Sequence, residues 1–130
     1  FVGPLGGVCI GVAGGFVCYY AVGLVKDAWN IDDSLDVFAV HGVGGILGTL
    51  LVAIFAAEGF GGAGYGEGVS MGSQLVTQAI GVVSTVIWTV IATWILCKVV
   101  SLLVGGLRAN DDEITEGLDL SYHGERDYNF

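Results

Sequence analysis

Asp36-Val-Phe-Ala-Val-His41-Gly-Val-Gly-Gly-Ile-Leu-Gly-Thr-Leu-Leu-Val-Ala-Ile-Phe55 is an apolar run of membrane-spanning length with a single ionisable group inside it. From Val37 to Ala57 that group, His41, is the only side chain able to carry charge. About 20 mostly apolar residues cross a bilayer as a helix, because the hydrocarbon offers no partner to an exposed backbone. An ionisable group at such depth is costly and marks a candidate functional position. Imidazole also binds and releases protons near neutral pH, which suits proton or polar-solute handling.

Two further segments have the same character. Phe1 to Val25 carries no charge, and the stretch after Val69 carries only Lys98 before Arg108. The spacing predicts an all-α membrane protein with helices over about 2–25, 35–57 and 70–105. A transmembrane part then covers 1–107 and a polar tail 108–130. The first loop, Lys26-Asp-Ala-Trp-Asn-Ile-Asp-Asp33, is short and charged, and Asp32 or Asp33 suits the N-cap of the second helix. The second loop, Glu58 to Gly68, is rich in glycine and holds no Lys or Arg. Lys26, Lys98 and Arg108 therefore gather at one end of the helices, which the positive-inside rule assigns to the cytoplasm together with the tail.

Composition agrees. The 130 residues are 54% hydrophobic and only 13% charged, half the charged share of an ordinary soluble domain. The net charge of -9 sits in loops and tail, and the absence of a basic patch excludes nucleic-acid binding. Cys9, Cys18 and Cys97 lie in apolar runs and read as small buried hydrophobes, not as a disulfide or metal set. The chain starts without Met and without a charged leader, so it reads as one that begins in mid-protein.

Helical spacing sorts the side chains into stripes. Gly3, Gly7, Gly11 and Gly15 recur every four residues, a pattern that lets helices pack closely in lipid. At 100° per residue, Ser34, Val37, Phe38, Gly45, Gly48 and Val52 fall within about 60° of His41. That face reads equally as a narrow apolar lining with one polar point or as a helix contact in which His41 hydrogen-bonds across. Asp36 complements the positive end of the helix. Gln78, Thr85 and Thr89 share a face of the third helix suited to interhelical hydrogen bonds, and Trp88 and Trp94 fall within the span as packing residues. No second ionisable group completes a catalytic pair in these segments, so an enzyme is the least expected reading.

Asp32-Asp33-Ser-Leu-Asp36-Val-Phe-Ala-Val-His41-Gly-Val-Gly-Gly-Ile-Leu-Gly48 closely resembles the ammonium transporter family (Amt/Mep/Rh). The match continues through Ile54-Phe-Ala-Ala57, Glu67-Gly-Val-Ser-Met-Gly72-Ser-Gln-Leu, Gly106-Leu-Arg108 and Glu116-Gly-Leu-Asp119-Leu-Ser-Tyr-His-Gly124. The resemblance implies the last three helices of an eleven-helix fold followed by a cytoplasmic tail. It implies ammonium transport in the cell membrane as a trimer, without a cofactor or metal. In such proteins ammonium is deprotonated, ammonia passes an apolar pore, and two hydrogen-bonded histidines line that pore. His41 matches the second histidine and Val37 an apolar pore position. Asp36, Gly45 and Gly48 are matched as structural or gating positions. The first histidine and the outer substrate site belong to eight earlier helices absent from this sequence.

The tail resembles the family's regulatory segment, in which Gly117, Asp119, Ser121, His123 and Gly124 stand at matched positions. Subunit contacts and docking of a PII-type signalling protein are implied there. Tyr122, Tyr128 and Phe130 are further candidates for docking. Two other readings remain open on sequence alone: an ammonium sensor on the same scaffold, and a three-helix structural membrane subunit.

Overall fold

A computed structural model describes residues 1–125, so Tyr128 and Phe130 lie outside the described residues. Among those residues every regular element is helical. Helix α1 spans Pro4–Gly23 and continues as a π-helical turn over Leu24–Ala28. A second π-helical turn, Val37–Gly42, leads into α2, Val43–Phe55. Helix α3 spans Met71–Val104, and the short α4 spans Asp111–Glu116.

Among the described residues three segments are long and apolar enough to cross a membrane: Pro4–Ala28, Val37–Phe55 and Met71–Val104. Their 25, 19 and 34 residues correspond to about 38, 28 and 51 Å of helix at 1.5 Å per residue. The second fits a hydrocarbon core of about 30 Å, and the third exceeds it, so α3 has length to tilt or to emerge. Local chemistry starts and stops these helices. Pro4 occupies the first helical position of α1, where its missing N–H costs nothing. Asn30 and Asp36, both at positive φ (50° and 55°), turn the chain between the first two spans.

The packing divides into two units, Phe1–Ile87 and a second from Trp88 onward. In the first unit, α1 and α2 meet through small side chains. Ala21, Val25 and Ala39 are buried together, with Val22 and Val43 against them. Ala53 and Ala56 are buried nearer the other end of α2. Small residues let the backbones approach, which is where dispersion is gained when lipid and protein are equally apolar.

The glycine face that does this differs from the four-residue stripe. Gly3 is buried and packs against the backbone of Gly61, but a Cβ on Gly7, Gly11 or Gly15 would meet nothing within 4 Å. The contact instead uses Gly6, whose Cβ would stand 2.6 Å from Val2 Cγ1 and 3.0 Å from Phe55 Cβ. The buried residues of α1, Gly6 and Ala21, lie on the side turned to α2. Gly7, Gly11 and Gly15 are turned away. Trp88 and Trp94 likewise stand 73% and 63% exposed, and Lys98 Nζ lies over the Trp94 ring at 5.9 Å.

The glycine-rich loop is tied to the first unit by its backbone. Ala63 N–H donates to Phe1 O at 3.0 Å and Gly64 N–H to Ala56 O at 2.8 Å. The Tyr65 hydroxyl donates to Ala53 O in the last turn of α2, at 2.5 Å. The bonds to Ala53 and Ala56 satisfy carbonyls that the end of α2 leaves open. Replacing Gly6 by Leu should destabilise the α1–α2 pair by about 1–3 kcal/mol through overpacking. Thermal denaturation in detergent measures it, and an unchanged midpoint would contradict this contact.

Candidate functional site

His41 lies in the fifth position of the π-helical turn Val37–Gly42, and not on a uniform α-helix. The Val43 N–H reaches back to Phe38 O, five residues away, as well as to Val40 O. Such widened turns are rare and recur at functional sites. The extra residue in the turn rotates α2 by about 100° relative to an unbroken α-helix. Phe38 thus leaves the stripe with Gly45 and Gly48 that constant spacing predicts. The Phe38 ring instead lies along Gly42, where a Cβ would meet its Cδ2 at 3.2 Å.

The imidazole and the side chains of Val37, Phe38 and Val40 are exposed on this chain, while Ala39 is fully buried against α1. Gly45 and Gly48 have open space in front of them. The arrangement is therefore a proton-binding group on an apolar surface, with glycines next to it on the succeeding turns. Among the described residues no three His, Cys, Asp or Glu side chains gather as a metal-ligand group.

The start of this turn is held by two carboxylates with separate tasks. Asp33 is the capping anion: its Oδ1 accepts from Val37 N–H at 2.8 Å, and its Oδ2 from Phe38 and Ala39 N–H at 2.9 and 3.3 Å. Three open donors at a helix start are met by one negative group, favoured further by the helix dipole. Of the two aspartates suited to the cap, Asp32 instead accepts from the Ser34 hydroxyl at 3.1 Å.

Asp36 takes the N-cap position itself but makes no side-chain cap bond. Its Oδ1 meets Lys26 Nζ at 2.8 Å. That oxygen is shielded from solvent and has no well-formed hydrogen bond beyond this ion pair. Asp36 thus acts as a link to the end of α1 and not only as a dipole partner. Nothing in sequence spacing pairs residues ten apart across a loop with two left-handed positions, so this link was not legible there.

The second unit contains the tail positions. Asn110 and Glu113 form a capping box: Asn110 Oδ1 accepts from Glu113 N–H and Glu113 Oε2 from Asn110 N–H, both at 2.8 Å. Its signature, Asn-x-x-Glu, is present in the sequence and was the signal for it. Gly117 and Gly124 adopt positive φ of 98° and 66°, bounding a π-helical turn, Asp119–His123. The Ser121 hydroxyl donates to Gly117 O at 2.9 Å. Asp119, Ser121 and His123 are exposed.

The sequence of residues 1–128 matches the family model described as Ammonium Transporter Family. The chain belongs to that family. An ammonium transporter of Bacillus subtilis is 37% identical over 98% of this chain and 32% of its own length. One from Aquifex aeolicus is 39% identical over 99% of this chain and 30% of its own. Ammonium transporter 1 of Dictyostelium discoideum is 41% identical over 94% of this chain and 26% of its own. The chain thus spans about a third or less of these relatives. Membership in the Ammonium Transporter Family and three apolar spans make this a membrane protein of a transporter family.

The site's electrostatics have two measurable consequences. Asp33→Ala should cost about 1–2 kcal/mol, since the three capped N–H groups lose their acceptor; chemical denaturation checks it, and no loss would reject the cap. In the tail, hydrogen bonding to the Glu113 carboxylate, then its charge, pushes the Tyr122 phenol above its ordinary 10.0. A raised acid pKa means the contact contributes in full below the unfolded value and is lost as pH climbs through the folded one. Tyrosinate absorbance, with Tyr122→Phe as the difference reference, should titrate late, and Glu113→Gln should bring it back down.

Proposed function

We propose that this chain supplies three of the eleven helices and the adjoining tail of an ammonium/ammonia transporter, with His41 as one half of the pore's histidine pair. The observation that carries the reading is His41 itself, exposed on an apolar span within Asp36-Val-Phe-Ala-Val-His41-Gly. Its partner histidine, the entrance site and the remaining pore wall come from the other eight helices.

Solvation energies favour this division of labour. An ammonium ion stripped of water in an apolar channel loses several kcal/mol or more of solvation, whereas neutral ammonia loses far less. Deprotonation near the entrance lets ammonia pass Val37 and the apolar wall. A neutral imidazole offers it one donor and one acceptor, and a hydrogen-bonded pair can pass the proton separately. Potassium has no proton to give up, so the same wall excludes it. Gly45 and Gly48, open in front, leave room beside the imidazole.

The orientation supported by Lys26, Lys98 and Arg108 puts the Lys26–Asp36 loop and the tail in the cytoplasm. There the turn at Gly117, Asp119, Ser121, His123 and Gly124 is proposed as the contact for neighbouring subunits of a homotrimer and for a PII-type signalling protein. The exposed apolar side chains along α1 and α3 suit lipid, the other eight helices or neighbouring subunits.

His41→Ala in the full transporter should lower methylammonium uptake by about tenfold or more, the usual weight of a positioned proton-transfer group. Uptake assays in cells lacking other ammonium transporters measure it. Wild-type uptake together with intact potassium exclusion would remove His41 from the pathway.

A further inference from the structure

The geometry points to the Lys26–Asp36 ion pair as the positioning device that fixes His41, by holding the chain in the register its π-helical turn requires; this rests on the pore role proposed for His41. Four observations converge. Asp36 has φ 55° and ψ 30°, a left-handed conformation that non-glycine residues seldom adopt. Its carbonyl accepts the Val40 N–H at 2.8 Å, an i+4 bond that precedes the five-residue bond from Val43 N–H to Phe38 O around His41. Its carboxylate is held at 2.8 Å by Lys26, and the two side chains are only 36% and 32% exposed. Lys26 sits in the π-helical turn Leu24–Ala28, whose Val25 is buried at 1% exposure against the fully buried Ala39 of the His41 turn.

Two widened turns are thus packed on one another and pinned at the loop side by one ion pair. Asp33 and Asp27 also act on Lys26 through their charge, but the ion pair is with Asp36, and both oxygens of Asp33 are engaged by Val37, Phe38 and Ala39 N–H. If Asp36 leaves the left-handed region, the carbonyl that begins the ladder turns with it. The five-residue bond from Val43 N–H to Phe38 O then loses its fixed start and can revert to α spacing. One residue of register is about 100° of rotation, enough to swing the imidazole off the surface it faces. Lys26 and Asp36 act on transport through His41 and touch no substrate.

Asp36→Asn separates charge from backbone, since Asn tolerates the left-handed region as Asp does but loses the ion. In the full transporter we expect Asp36→Asn and Lys26→Gln each to lower the maximal methylammonium uptake rate about tenfold with little change in KM, as misplacement of a proton-transfer group does. Lys26→Arg should restore most of the rate. The imidazole 15N shifts of His41 should change in both impaired variants and return in Lys26→Arg. Should Asp36→Asn fail to assemble, Lys26→Gln carries the same expectation with the Asp36 backbone untouched. Wild-type rate and unchanged shifts in Lys26→Gln, with His41→Ala impaired, overturn the positioning role alone. Wild-type transport in His41→Ala overturns it together with the pore role.

Discussion

A peptide group in hydrocarbon has no water to bond, and every departure from a regular helix must be met by the chain itself. That constraint organises the unit built on α1 and α2. Both spans depart from α-helical spacing at the same end, over Leu24–Ala28 and Val37–Gly42. Each departure is answered locally. Trp29 N–H bonds Leu24 O, Ile31 N–H bonds Val25 O, and the Asp33 carboxylate collects three N–H groups at the mouth of the second span. The opposite end is closed by Tyr65 and the glycine loop, with every bond again directed at a backbone carbonyl.

Energetically the unit leans on contact area, not on burial from water. Its buried set is mostly alanine and glycine, with Val25 the largest side chain fully enclosed. Close backbone approach yields dispersion that lipid chains cannot match at a rough surface. The same close approach explains how a π-helical turn persists. Ala39 and Val25 are buried together where both turns are wide, so packing and hydrogen bonding act on the same residues. A histidine on a widened turn projects differently from one on a plain helix.

The polar tail obeys other rules. In water its short helix needs a cap, and Asn110 and Glu113 supply one reciprocally. Arg108 and Asp111 stand 3.7 Å apart and fully in solvent, where an ion pair adds little. What shapes the tail is backbone freedom at Gly117 and Gly124, between which the matched family positions are displayed on one turn.

Sequence by itself determined the three spans, since their apolar length and charge-free interiors leave a membrane helix as the only way to satisfy the backbone. It also singled out His41, because one ionisable group in a long apolar run stands out whatever its surroundings. Asp33 was legible as one of two caps, and Asn110 was written in its own motif. Tertiary structure alone decided which glycines pack. Gly6 rather than Gly7, Gly11 and Gly15 meets α2, because four-residue spacing names a face without saying where the neighbour stands. Only the fold could reveal the widened turn under His41 and the Lys26–Asp36 link. Periodicity assumes a constant rotation per residue throughout, and a register change sustained by packing between two segments leaves no mark in either one read alone.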